Sequence, residues 1–129
     1  MVERQADVAV LSQDRLAGLR ALGEDLVAEV MRLFLDGNGE LLSTLQFAAS
    51  AEPMDLDGLL SASHTLRGSA ANLGFDALAL ACWQLEQVLP DSASGGPLDA
   101  VAVAARLRQI EAAWEKVGLV ARGLAQGEA

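Results

Sequence analysis

Apolar side chains recur along most of this chain at steps of three and four, the spacing that lines one face of an α-helix. Ser12, followed by Gln13 and Asp14, can cap a short helix over about 12–21 whose inward positions are Leu16, Leu19 and Leu22. From Gly23 a second stripe runs through Val27, Val30, Met31, Phe34, Leu41, Leu42, Leu45, Ala48 and Ala49. Gly37-Asn38-Gly39 interrupts it, and each glycine inside a helix costs roughly 1 kcal/mol. The stepping 34, 38, 41, 45, 48 nevertheless keeps its phase across the interruption, so one long helix to about residue 51, straight or kinked, is expected.

Pro53 cannot continue that helix, and Asp55 or Asp57 can cap the next. Its stripe is Leu56, Leu59, Leu60, Ser63, Leu66, Ala70 and Leu73, and Gly74 can close it in the left-handed conformation. Another helix follows from Phe75 to about Leu89, with Leu78, Ala81, Cys82, Leu85, Val88 and Leu89 inward. Residues 90–97, Pro-Asp-Ser-Ala-Ser-Gly-Gly-Pro, read as a loop. The last helix, about 98–121, places Val103, Leu107, Ile110, Trp114, Val117 and Ala121 in alternating steps of four and three. The expected architecture is all-α: an up-down four-helix bundle over 11–122 with a short extra N-terminal helix, an arm or linker at 1–10 and a loose tail at 123–129.

Composition agrees. Alanine and leucine number 24 and 23 against 13 for Val, Ile and Thr together, a bias toward unbranched side chains that lose little rotamer freedom in a helix. A net charge of −9 disfavours nucleic acid and anionic membranes as partners. The N-terminus is acidic where a signal peptide would be basic, and no run approaches a membrane span, so a cytoplasmic setting is expected. One cysteine excludes an intrachain disulfide, and one cysteine with one histidine cannot assemble a His/Cys zinc site. Neither Gly37-Asn38-Gly39 nor Gly95-Gly96 is followed by the Lys-Ser/Thr of a phosphate-binding loop.

Candidate chemistry concentrates at the single histidine. The core stripe of its helix passes through Ser63 and Leu66, which leaves His64 on the flank with its ring toward solvent. Ser61, Gly68, Ala71 and Phe75 lie on the same line and form the expected partner-facing strip. Gly68 weakens a helix interior by roughly 0.5–1 kcal/mol relative to alanine, which calls for a reason: clearance for another protein's surface, or for a neighbouring helix. Arg67, three residues on, offers planar donors suited to phosphoryl oxygens. If the chain turns back at 74–75, levels match where residue numbers sum to about 150, and Glu86 faces His64. A carboxylate there would accept the Nδ1 proton and leave Nε2 as the nucleophile. Cys82 reads as a small core residue, Trp83 and Trp114 as packing or partly exposed amphipathic residues, and Ser63, Thr65 and Ser69 as packing or local hydrogen bonding.

His64-Thr65-Leu66-Arg67-Gly68 and the small-residue stretch to Gly74, followed by Leu78, Cys82, Leu85 and Glu86, resemble the histidine-containing phosphotransfer (HPt) domain of two-component phosphorelays. The family pattern is His-x-Leu-Lys-Gly, and here Arg67 stands where lysine is commonest. The resemblance implies a phosphotransfer protein without kinase activity of its own, in which His64 accepts a phosphoryl group from a receiver-domain aspartyl phosphate and passes it to a response-regulator aspartate. Arg67 would stabilise phosphoryl charge, and Glu86 would orient the imidazole. It further implies no cofactor of its own, Mg²⁺ in the partner receiver, and receiver domains of a hybrid kinase or response regulator as partners of a monomer. Docking would occur around His64, with apolar contacts from the first helix and the facing part of the second. The alternative is a helical adaptor that binds a signalling partner through the same surface without transfer.

Overall fold

In the computed structural model, residues 8–90 and 97–127 are described, and they form five helices and no strand. These are α1 (Gln13–Leu22), α2 (Glu24–Ser50), α3 (Leu56–Leu73), α4 (Asp76–Val88) and α5 (Ala100–Ala125). Residues 91–96 of the expected loop, 1–7 of the expected arm and 128–129 of the expected tail lie outside the described residues.

The four long helices pack as a ring in which α2 touches α3 and α5, and α4 touches α3 and α5. Their apolar stripes meet inside, where Met31, Leu45, Leu59, Leu66, Leu78, Leu85, Val103, Ile110 and Val117 are fully buried. Each such leucine or isoleucine contributes on the order of 1.5–3 kcal/mol by leaving water. α2 is a single uninterrupted helix through Gly37-Asn38-Gly39. Asn38, on the core stripe and buried, satisfies its amide by donating from Nδ2 to the Phe34 carbonyl at 2.8 Å.

The expected caps at Ser12 and Asp55 form, and Asp99 caps α5 in the same way. The Ser12 hydroxyl accepts from Arg15 N, Asp55 from Gly58 N and Asp99 from Ala102 N. Gly74 takes φ +90° and closes α3, with its N–H and that of Phe75 turned back to carbonyls of residues 70 and 71. α1 lies across this end. Ser12 N donates to the Gly74 carbonyl at 2.7 Å, and Arg15 Nη1 to that of Asn72 at 2.8 Å. A Cβ on Gly74 would meet Arg15 Cβ at 2.7 Å, so the close approach also demands glycine.

Several expectations need correction. Leu22 is 72% exposed, because successive steps of three each fall 60° short of a full turn and carry it about 120° from Leu16. Leu60 is exposed as well, since its neighbour Leu59 takes the core position. Leu11 is buried at the expected start of the bundle, and within the expected arm the Ala9 carbonyl accepts from Ala77 N at 3.1 Å, which ties that residue to α4. α5 runs on to Ala125, past the expected end near 121, because Leu124 still finds the core.

Candidate functional site

α3 presents His64 and Arg67 one turn apart, and α4 returns beside it to bring Glu86 against both. The His64 side chain is 67% exposed, while that of Glu86 is 12% exposed, so a shielded carboxylate lies beneath an open ring. Arg67 Nε donates to Glu86 Oε2 at 2.6 Å, and Arg67 Nη2 lies 3.0 Å from His64 Nδ1. Glu86 Oε1 is 3.4 Å from the same Nδ1. Three side chains therefore close a triangle in which one ring nitrogen is addressed twice, once by a donor and once by an acceptor. Among the described residues Nε2 has no hydrogen-bond partner.

The register deduced from the hairpin thus holds for His64 and Glu86. What it did not reveal is that the carboxylate's shorter contact goes to Arg67. A guanidinium with five donors in a plane can serve a carboxylate oxygen and a ring nitrogen together, which a point-like ammonium could not do in the same geometry.

Ser61, Gly68 and Ala71 are exposed on the same helix face as His64. A Cβ added at Gly68 would meet no atom within 4 Å, so no neighbouring helix requires the glycine. Phe75 must be removed from this strip. It follows the left-handed Gly74, where helical phase no longer applies, and its ring is fully buried 4.8 Å from that of Phe34. Trp83, read from the sequence as a packing or partly exposed residue and not assigned to the site, stands one turn before Glu86 and is 46% exposed. The hairpin sum of about 150 would have placed it level with Arg67.

Beneath the site, Cys82 is fully buried and its thiol is pushed up to about 12, first by desolvation and then by the Glu86 carboxylate, with Arg67 opposing. Ser63 is buried too, and its hydroxyl donates to the Leu60 carbonyl at 3.2 Å. Among the described residues no group of three or more His, Cys, Asp or Glu could hold a metal ion. No described helix is long and apolar enough to cross a membrane.

Compared with known protein families, the chain matches the family described as "Hpt domain" over residues 29–117, a span that contains α3, α4 and the whole triangle. No curated protein and no solved structure matches the chain.

Proposed function

The chain belongs to the Hpt-domain family, whose role is histidine phosphotransfer in phosphorelays, and we propose that His64 is the residue that carries the phosphoryl group. The supporting observation is that the only histidine in the sequence stands exposed on α3 with Arg67 and Glu86 within hydrogen-bonding reach. A receiver-domain aspartyl phosphate would be the donor. The Nε2 lone pair attacks phosphorus, the P–O bond to the aspartyl carboxylate breaks, and its electron pair leaves on that carboxylate. Neutral imidazole needs no strong base for this, and transfer depends mainly on position and charge stabilisation. Arg67 supplies a cation for the phosphoryl oxygens, and Glu86 holds the Nδ1 proton and balances the positive ring that results. Mg²⁺ belongs to the receiver, which docks over the open strip formed by Ser61, Gly68 and Ala71. The reverse step passes the group to the aspartate of a response regulator, in a cytoplasmic setting.

Phosphotransfer from a panel of phosphorylated receivers tests this reading. Acid-labile, alkali-stable phosphate on the wild-type chain, lost in a folded His64→Gln variant, is the expected result. Transfer from no receiver to the folded protein overturns it. Receiver binding and signalling that persist unchanged in His64→Gln would make the domain an adaptor instead.

A further inference from the structure

We propose that Arg67 gates the nucleophilic nitrogen of His64 by competing with Glu86 for Nδ1. A neutral imidazole carries one N–H and one lone pair, a guanidinium has donors only, and a carboxylate has acceptors only. The contact from Arg67 Nη2 at 3.0 Å is therefore satisfied when Nδ1 bears the lone pair, which places the proton on Nε2 and removes the nucleophile from the open side of the ring. The contact to Glu86 Oε1 is satisfied in the opposite tautomer, with the proton on Nδ1 and the lone pair on Nε2. At 3.4 Å it is the longer of the two, and the same carboxylate is already engaged at 2.6 Å by Arg67 Nε. The undocked site thus rests in its unreactive tautomer.

This inference rests on the phosphotransfer reading and adds a switch to it. A phosphoryl group arriving opposite Nε2 offers Arg67 Nη2 a better acceptor than a ring nitrogen. Nη2 can leave Nδ1 while Nε keeps its bond to Glu86, so the fork turns without releasing the carboxylate. The ring is largely exposed, and water takes the proton from Nε2 and returns one to Nδ1, where Glu86 Oε1 accepts it. Only then is the Nε2 lone pair available to the phosphorus. After transfer the ring is positive with its proton on Nδ1, and Arg67 can no longer donate there. Arg67 is in this sense a positioning residue before the step, and the donor's own phosphoryl group releases the gate.

With one histidine in the chain, a long-range proton–nitrogen NMR spectrum of the ¹⁵N-labelled protein reports this tautomer without ambiguity. Recorded in alkaline buffer, where imidazole is neutral, wild type is expected to show mainly the Nε2–H form. Arg67→Met, which keeps the apolar stem, should change the tautomer ratio at least tenfold toward Nδ1–H. Arg67→Lys, whose single ammonium cannot serve both partners in the fork's geometry, should shift it in the same direction. A wild-type ring already protonated on Nδ1, or a ratio unchanged in the folded variants, overturns the gate. Phosphorylation of His64 by a receiver, measured separately, decides the underlying function, so either idea can fail while the other stands.

Discussion

Arg67 and Glu86 are joined across the α3–α4 hairpin by a 2.6 Å bond from Nε to Oε2, with the carboxylate side chain only 12% exposed and the guanidinium one-third exposed. Hydrogen bonds to charged groups contribute about 1.5–3 kcal/mol, and partial exposure lowers this toward 1. A double-mutant cycle with Arg67→Met and Glu86→Gln, followed by chemical denaturation, should therefore give a coupling near 1 kcal/mol with the bundle intact. A coupling within 0.3 kcal/mol of zero, a margin on the order of the usual error of additivity, would mean that the pair does not hold the hairpin.

Gly68 separates stability from function. Since a Cβ there meets nothing, Gly68→Ala should raise stability by about 0.5–1 kcal/mol, as expected for an exposed helix interior. Gly68→Leu should leave the fold intact and slow receiver-dependent transfer at least tenfold, because the strip beside His64 must stay open. Equal transfer rates for wild type and the Gly68→Leu variant would show that clearance is not the reason for the glycine.

Trp83 should report docking. It is 46% exposed beside the triangle, whereas Trp114 is half-buried with its ring 5.9 Å from that of Phe34. Receiver titration is expected to shift the emission of wild type but not of Trp83→Phe. Trp83→Ala should raise the receiver concentration needed for half-maximal transfer severalfold, with little effect on the saturated rate. A docking signal retained in Trp83→Phe places the interface elsewhere.

The buried Cys82 thiol has a pH consequence whose sign is fixed. Its folded value, near 12, lies above the unfolded one near 9, so the native state retains the proton that the unfolded chain gives up. Stability from this group is fully present below about pH 9 and declines as pH rises toward 12. Denaturant midpoints of Cys82→Ala and wild type should converge across that window. In mildly alkaline buffer a disulfide reagent should react only on unfolding, and rapid labelling of the folded chain would contradict the burial.

Phe75 belongs to the core rather than to the docking strip. Phe75→Ala should destabilise the bundle by about 3–5 kcal/mol, as for other fully buried aromatic residues, and lower transfer only through lost fold. Normal stability together with weakened receiver binding would restore it to the surface.

Helices are legible in this chain because what makes them is local. A stripe at 3.6-residue spacing, a capping Ser12, Asp55 or Asp99 and a left-handed Gly74 act within a few residues, and even the phase through Asn38 follows from residues a turn away. The pairing of His64 with Glu86 was also within reach, since a tight turn at 74–75 makes register a matter of counting. The all-helical bundle, its order and the helix that carries the lone imidazole could therefore be read from the residues alone. Packing between helices settles the rest. Whether Leu22 or Leu60 finds a partner depends on which helix lies opposite, and Phe75 turns inward because the Gly74 turn breaks the phase. Above all, the choice of Arg67 as the nearer partner of Glu86 is a matter of ångströms between side chains on two helices. Periodicity resolves a face, not a hydrogen bond, and it is at that finer scale that the state of the His64 ring is set.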